Sequence, residues 1–130
     1  MKRFSYRKLN IKDLLEIKYL PISDERGFLS RIFCIEEINT FSTFKDIKQI
    51  NRTFTKRKGA IRGLHFQYPP ASETKIIICT KGEIFDVAID IRKNSRTYLK
   101  HASIILNADL NNMFLIPKGF ADRKSTRLNS

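Results

Sequence analysis

The sequence predicts an all-β domain, a sandwich or barrel of short strands, on three observations. Apolar runs rich in β-branched and aromatic residues recur along the chain, and residues typical of turns separate them. Helical periodicity is nearly absent, since only IEEINTFSTF, residues 35–44, predicts a short helix. A length of 130 residues with 42% hydrophobic residues suits one globular domain with a modest core.

Turn residues divide the chain into its expected strands. Asp24 and Gly27 in SDERG favour a turn after the first long apolar run, and KRKG, YPPAS and KG break the chain again further on. The run EIFDVAIDI, residues 83–91, is the clearest strand because β-branched and aromatic residues dominate it. We expect strands, in chain order, over residues 14–22, 28–35, 47–55, 60–67, 74–80, 83–91, 101–106 and 113–117.

The basic net charge indicates which kinds of molecule the protein is expected to bind. Lys and Arg number 25 against 13 Asp and Glu, which gives a formal net charge of +12. This balance favours an anionic partner such as nucleic acid, a phosphorylated metabolite or a membrane surface, although solvated lysines alone produce the same balance. The N-terminus lacks the apolar region of a secretory signal, and no apolar run approaches the roughly 20 residues of a membrane span.

The two cysteines indicate a reducing compartment. Cys34 and Cys79 each lie in an apolar stretch, IFCIEE and IIICTK, where buried and reduced thiols are the rule. Their spacing matches neither a disulfide framework nor a zinc site. Together with the missing signal sequence, this predicts a cytoplasmic protein.

A histidine within a strand marks the candidate site. His65 lies in RGLHFQ, residues 62–67, and on a strand it shares a face with Gly63 and Gln67. Gly63 has no side chain, so another backbone or a ligand can approach closely, and a bulge there would bring Arg62 to the side of His65. A histidine with a pKa near neutrality is a natural general base. A histidine that simply packs into the fold is the alternative.

The strand at residues 83–91 offers this site a carboxylate. Asp86 and Asp90 share one face, and the other face is expected to form the core; its members are Phe85, Val87, Ile89 and Ile91. A buried aspartate needs a partner, which Lys75 in the preceding strand is expected to supply. Cations beside a base suit proton removal next to a carbonyl group, because they stabilise the enolate. No metal site is expected, since the chain's other histidine lies far from His65 in sequence.

The last nine residues do not continue the strand pattern. DRKSTRLNS, residues 122–130, follows GFA abruptly and shows no apolar periodicity. It matches the in-frame translation of a common sequencing adapter. We therefore interpret residues 1–121 as the domain and residues 122–130 as a non-native tail, with an ordinary polar terminus as the alternative.

Several motifs in one order resemble the dTDP-4-dehydrorhamnose 3,5-epimerase family. They are DERGF, QINRTFTKRKGAIRGLH, KGEIFDVAIDIR and NADLNNMFLIPKGFA, and the likeness covers about residues 14–121. The resemblance implies a cupin-type jelly roll that works as a homodimer. It also implies epimerisation of a dTDP-4-keto-6-deoxyhexose at C3 and C5, by removal of the protons next to the 4-keto group and without a cofactor.

The resemblance implies a role for each residue that matches the family. His65 is then the base that removes the protons flanking the keto group, and Asp86 orients Lys75. The groups that stabilise the developing charge are Lys75 and Arg62. The substrate-binding residues are Gln49, Asn51 and Arg26, the last of which contacts the diphosphate across the dimer.

Departures from the family pattern limit what this chain is expected to do by itself. Arg31 stands where the family has a glutamate that contacts the nucleotide, and Asp122 stands where it has a second histidine. The family's proton-returning tyrosine, and the carboxylate that pairs with its base, lie beyond Ser130. We therefore expect an inactive fragment, incomplete at the C-terminal end of the jelly roll, that folds poorly because strand edges stay unpaired.

Other functions remain open on the sequence. A related cupin would catalyse one epimerisation or a ketoisomerisation, and a non-catalytic cupin would bind a nucleotide sugar without proton exchange. A basic β-domain would bind nucleic acid through RTFTKRKG, residues 52–59, with Phe54 stacked on a base and the KNSR loop on phosphates. This last function is the least favoured, because the same residues suit a solvated hairpin.

Overall fold

A computed structural model describes residues 2–43, 46–65 and 73–128, with the backbone alone described for Leu64, His65, Arg127 and Leu128. The described part is mostly β-structure, with one short α-helix, α1 (Ile35–Ile38), and a 3₁₀ turn at Ala108–Leu110. Neither is long and apolar enough to cross a membrane. The strands are β1 (Phe4–Lys8), β2 (Leu15–Tyr19), β3 (Ile22–Asp24), β4 (Gly27–Leu29), β5 (Ile61–His65), β6 (Lys75–Ile78), β7 (Glu83–Asp90), β8 (His101–Asn107), β9 (Asn112–Ile116) and β10 (Phe120–Leu128).

The strands form two antiparallel four-stranded sheets and one hairpin. The first sheet has the order β1-β2-β9-β6, and the second has the order β5-β10-β7-β8. The hairpin β3–β4 forms a small sheet of its own. Strands distant in sequence pair directly, such as β2 with β9 and β5 with β10. The chain therefore crosses between sheets repeatedly, as in a β-sandwich, rather than running up and down as a meander.

The main core lies between the two four-stranded sheets. Ala88 and Leu106 of the second sheet meet Phe114 of β9 in the first. All five residues of β9 are buried, because Met113 and Leu115 pack on its opposite face, in a second cluster that includes Ile38 of α1. A strand buried on both faces reads as the continuous apolar run MFLI rather than as an alternation.

β1 is one of three strands, with β3 and β10, that the sequence pattern did not predict. β1 pairs with β2 at the edge of the first sheet, and only Phe4 of its five residues is buried. The carboxylate of Glu37, in α1, accepts the backbone N–H groups of Arg3 at 2.6 Å and Phe4 at 3.2 Å. An edge strand held by backbone and carboxylate contacts needs no apolar pattern, which is why the sequence did not reveal it.

Two predicted strands are wrong over most of their length. In place of a strand over residues 28–35, β4 ends at Leu29 and α1 begins at Ile35. The described residues of 46–55 form no strand, although apolar and polar residues alternate there. Ile50 in this segment is 81% exposed. The alternation has no core to face, so the pattern does not become a strand.

The prediction that Phe85, Val87, Ile89 and Ile91 of the strand at residues 83–91 form the core is also wrong. Asp86, Ala88 and Asp90 point inward and are fully buried, whereas Phe85 and Val87 are only partly buried. The outer face of β7 instead lines a shallow open groove together with residues of β8 and β10. Period-two alternation defines two faces but does not say which faces the core. Here the buried carboxylates are offset by cations and hydroxyl groups, described below.

The residues interpreted as a tail continue a strand of the second sheet. β10 runs from Phe120 to Leu128 and lies between β5 and β7, with Asp122 opposite Ala88 and Thr126 opposite Ile84. Asp122 and Thr126 are both buried. In this chain the first residues of the tail therefore belong to the packed fold. That residues 122–130 are non-native remains a prediction.

Candidate functional site

Gly63 creates a bulge in β5, which confirms the prediction made from the sequence. Asp122 pairs with His65 whereas Arg123 pairs with Gly63, so the register shifts between these two pairs. Gly63 has a φ of +133°, and a Cβ atom there would lie 2.7 Å from the carbonyl oxygen of Asp122. Any other residue would meet both the backbone strain and the clash. The close approach of two backbones therefore requires glycine here.

The bulge aligns Arg62 and His65 with one face of β10. Arg62 lies opposite Lys124, and His65 lies opposite Asp122. Residues two apart on a strand share a face, so the positions of Lys124 and Asp122 belong to the same side of the sheet. Lys124 also pairs with buried Asp86 of β7. The register thus places Arg62 and the backbone of His65 opposite Lys124 and Asp122 of β10.

Lys75 reaches the same place from the opposite sheet. Its ammonium group donates to Oδ1 of Asp122 at 3.0 Å, and Lys124 donates to Oδ2 of that carboxylate. Burial of Asp122 would raise its pKa, but the hydrogen bonds and charges of Lys124 and Lys75 outweigh burial and lower the pKa. Asp122 is therefore an ionised carboxylate inside the protein. Together with Asp86 these residues form the interior cluster: Lys75, Asp86, Asp122 and Lys124.

Asp86 is the member of the interior cluster without a hydrogen bond. Its side chain has no exposed surface, and in the described part of the chain neither carboxyl oxygen has a partner. Burial raises the pKa of Asp86 to about 7, although the positive charges of Lys124 and Lys75 act to lower it. The direct bond from Lys75 to Asp86 expected from the sequence is not formed, because Lys75 is bound to Asp122. Sequence reasoning missed Asp122 as a site residue because it was assigned to the tail.

The predicted substrate-binding residues lie at the surface. Arg26, in the tight turn between β3 and β4, donates from NH2 to Oδ2 of Asp24 at 2.7 Å. Gln49 donates to Asn51 at 3.2 Å in the irregular segment before β5. All three predicted residues are exposed to solvent. Their polar groups are available to a ligand at the surface, apart from the buried carboxylates of the interior cluster.

Two arginines of interest make contacts outside the interior cluster. Arg31, where the resemblance expects a glutamate, donates from NH1 to Oε2 of Glu37 at 2.7 Å. This ion pair supports the carboxylate that holds β1 in place, so Arg31 has a structural task. Arg62 is exposed and donates from Nε to Oγ1 of Thr55 at 3.1 Å. By register Arg62 lies opposite Lys124 of β10, whereas its guanidinium group is exposed at the surface.

The arrangement suits chemistry that develops negative charge beside a proton acceptor. Lys75 comes from one sheet, and the backbone of His65 comes from the other at the position opposite Asp122, the carboxylate that binds Lys75. A fixed cation in a partly buried site stabilises an enolate more strongly than a solvated cation does, because less water competes for the charge.

Comparison with known proteins identifies the family. The family model of dTDP-4-dehydrorhamnose 3,5-epimerase matches residues 8–125. The chain belongs to this family. The dTDP-4-dehydrorhamnose 3,5-epimerase of Shigella flexneri is 36% identical over 115 residues, which cover 88% of this chain and 63% of that protein. The epimerase of Sinorhizobium fredii is 33% identical over 116 residues, covering 89% of this chain and 60% of the relative. The chain thus spans about three fifths of the length of these curated relatives.

Solved structures of the epimerase family share the fold. The dTDP-4-dehydrorhamnose 3,5-epimerase of Sulfolobus tokodaii superposes with a TM-score of 0.93 at 36% identity, covering 99% of this chain and 72% of that one. The enzyme of Bacillus anthracis, solved with TDP and PPi bound, has a TM-score of 0.93 at 32% identity, covering 97% and 72%. The predicted all-β jelly roll of cupin type is therefore confirmed.

Proposed function

We propose that this chain forms the base side of a site that epimerises a dTDP-4-keto-6-deoxyhexose at C3 and C5, as in the dTDP-L-rhamnose type of pathway, without a cofactor. The observation that supports this most directly is the bulge in β5, which aligns His65 and Arg62 with the position of Lys75. A base on one sheet and a cation from the other are the two groups that enolate formation requires. Membership of the epimerase family supplies the reaction class.

The proposed reaction uses the acidity that a keto group confers on its neighbours. His65 removes the proton from C3 or C5 on one face of the sugar, and the electron pair moves onto the 4-keto oxygen. Lys75 and Arg62 stabilise that oxygen as it becomes negative. The electron pair then returns from the oxygen, and the same carbon takes a proton from an acid on the opposite face of the sugar, which inverts it; exchange with solvent restores His65 and the acid. Asp86 is expected from the resemblance to position Lys75, but in this chain the ammonium group is held by Asp122, so Asp86 acts on Lys75 through its charge alone.

Surface residues supply the proposed binding of the nucleotide. Relatives with the same fold have been solved with TDP and PPi bound and with dTDP-4-keto-L-rhamnose bound. In this chain Gln49 and Asn51 present exposed amide groups, and Arg26 presents an exposed guanidinium at the tip of the β3–β4 turn. Because a guanidinium matches the geometry of phosphate oxygens, Arg26 is the proposed diphosphate contact.

Replacing His65 by asparagine tests the assignment of the base. In a version of the protein extended to the length of its relatives, His65→Asn is expected to abolish uptake of solvent deuterium at C3 and C5. Loss of a general base costs about 10²- to 10⁴-fold in rate. Binding of dTDP should persist, since the nucleotide contacts are elsewhere. NMR of the recovered sugar measures the uptake, and calorimetry measures binding.

The other histidine of the chain supplies a matched control. His101 lies on β8 with its side chain exposed, so His101→Asn should leave deuterium uptake unchanged. Persistent uptake in His65→Asn would remove His65 from the mechanism. Uptake at only one carbon in the unchanged protein would instead favour a mono-epimerase, and binding without any uptake would favour a non-catalytic cupin.

The β3–β4 hairpin supports a proposed homodimer. Phe28 and Leu29 on the hairpin are 75% and 70% exposed, and the hairpin forms its own two-stranded sheet. Isolated two-stranded hairpins are marginally stable in water, and large exposed apolar side chains mark contact surfaces. A second copy of the chain that covers this hairpin would also bring Arg26 to a neighbouring site.

A double substitution tests the homodimer. Phe28→Ser with Leu29→Ser is expected to shift the protein to monomer in sedimentation velocity, because the apolar contact is lost. Ile50→Ser removes an equally exposed apolar side chain away from the hairpin and should leave the dimer intact. A dimer that survives the double substitution would contradict a contact through the hairpin.

We place the protein in the cytoplasm. Cys34 and Cys79 are free cysteines, and Cys79 is buried. Free thiols without a disulfide framework suit a reducing compartment.

A further inference from the structure

One lysine of the interior cluster faces two buried carboxylates. Lys75 donates to Asp122 at 3.0 Å, and its charge also acts on Asp86, whose carboxyl group has no hydrogen-bond partner in the described part of the chain. Asp86 and Asp122 have 0% and 1% of their surface exposed. Water therefore cannot replace the missing partner, so the positions of the ammonium groups of Lys75 and Lys124 decide which carboxylate is stabilised.

The two ammonium groups of the interior cluster stabilise one ionised carboxylate at a time. Asp122 already binds both ammonium groups, those of Lys75 and Lys124. A second ionised carboxylate at Asp86 would lie close to Asp122 in a buried site, where repulsion is weakly screened. The structure thus holds Asp122 ionised and leaves Asp86 without a bond.

We propose that Asp122 competes with Asp86 for Lys75, and that in this chain Asp122 holds the lysine. The inference deepens the proposed function and rests on it in one respect, the use of Lys75 to stabilise the enolate. A cation already bound to a buried carboxylate offers little of its charge to a second anion. The residue at position 122 therefore controls how much positive charge the site presents to a substrate.

The contact depends on the charge of the residue at position 122. A neutral side chain there would leave the charge of Lys75 available, and Lys75 could then bond to Asp86. Asp122 is thus an inhibitory contact formed by β10. The effect holds for the chain as it stands, whether residues 122–130 are native or not.

Titration of Asp86 in the intact chain tests the competition without any activity measurement. The Asp86 carboxyl carbon is followed by NMR against pH, with Asp86→Asn used to assign the signal. The unchanged chain should titrate near pH 7. In Asp122→Asn the midpoint should fall by roughly 1–3 pH units, since two ammonium groups become available to Asp86. In Lys75→Met the midpoint should rise.

One control variant and two results that would contradict the competition complete the titration experiment. Asp109→Asn removes the same charge from an exposed position and should leave the midpoint unchanged. An unchanged midpoint in folded Asp122→Asn would overturn the competition, and so would an unchanged midpoint in Lys75→Met. If one variant does not fold, the other still decides. The titration is independent of His65, so its outcome is separate from a failure of the proposed reaction.

Discussion

Replacing Asp90 by asparagine is expected to lower the free energy of unfolding by about 3–5 kcal/mol at pH 7, because it breaks a buried ion pair from one side. Asp90 is fully buried at the end of β7. Its Oδ1 accepts the backbone N–H and the Nε of Arg92 at 2.9 and 3.0 Å. Its Oδ2 accepts Arg92 NH2 at 3.1 Å, Ser95 Oγ at 2.6 Å and Thr97 Oγ1 at 2.5 Å.

The loss of stability is expected to be large because Arg92 also contacts other residues at this end of the sandwich. Besides Asp90 it binds Asp13 at 3.2 Å, and its guanidinium lies 4.7 Å from the centre of the Phe120 ring. A Cβ atom at Gly119 would lie 2.5 Å from the Arg92 side chain, so glycine is required there too. Without the Asp90 carboxylate the Arg92 charge stays partly buried and the loop after β7 loses its anchor.

The contribution of Asp90 to the free energy of unfolding is expected to depend on pH. Burial would raise the pKa of Asp90, but the hydrogen bonds from Arg92, Ser95 and Thr97 outweigh it and hold the pKa far below its usual range. A carboxyl group with a lowered pKa stabilises the fold above its unfolded pKa of about 3.9, and this contribution is lost as the pH falls further. The difference between the variant and the unchanged chain should therefore stay constant from pH 7 down to about pH 4 and shrink only below that pH.

Urea unfolding at several pH values measures this difference. Asp109→Asn is the matched control, because the Asp109 side chain is exposed and should change stability by less than about 0.5 kcal/mol. A loss in Asp90→Asn no larger than in the control would show that the Asp90–Arg92 contacts contribute nothing net.

Asparagine in place of Asp86 should have the opposite effect and stabilise the fold, by an amount that grows between about pH 3.9 and pH 7 and is constant above pH 7. The pKa of Asp86 in the fold is raised to about 7 by burial. From about pH 3.9, the unfolded pKa, up to pH 7 the unfolded state holds fewer protons than the folded state, so Asp86 makes stability fall as the pH rises. The asparagine side chain does not ionise, and Asp86→Asn should gain about 2–4 kcal/mol at pH 8 and almost nothing at pH 4.

Thermal and urea unfolding at pH 4 and pH 8 test the Asp86 prediction. The gain must be confined to high pH, since at low pH the protonated carboxyl and the amide are both neutral and similar in shape. A gain of equal size at both pH values would assign it to packing instead of ionisation. A loss at pH 8 would show that ionised Asp86 is paired. The gain in stability should accompany a loss of activity in the extended protein, because a strained polar site is often kept for function.

Much of the fold was predictable because it depends on local chemistry. β6, β7, β8 and β9 follow apolar runs of strand type between turn residues, and α1 follows the one stretch with helical periodicity. The bulge at Gly63 was predictable as well, since a glycine inside a strand signals either a bulge or a close backbone approach. Here it provides both.

Other features of the fold could not be predicted from the local sequence, because they depend on contacts with distant parts of the chain. The strand pattern over residues 46–55 had no core to bury against, and β1 needed only backbone pairing and the Glu37 carboxylate. Phe85 and Val87, two of the four predicted core residues, lie on the outer face of β7. Alternation alone does not say which face of a strand is buried. In β7 the cations opposite Asp86 and the hydrogen bonds to Asp90 stabilise these aspartates on the buried face.

The sequence by itself determined the fold class, the family and the candidate residues His65, Lys75, Asp86 and Arg62, because these depend on residue type, spacing and order. Only the tertiary structure decided which carboxylate binds Lys75. Asp122 and Lys75 are 47 residues apart in the chain, and their 3.0 Å contact exists because β10 and β6 lie on facing sheets. A partly buried ammonium group pairs with whichever carboxylate the packing places within reach, and no local sequence pattern contains that distance.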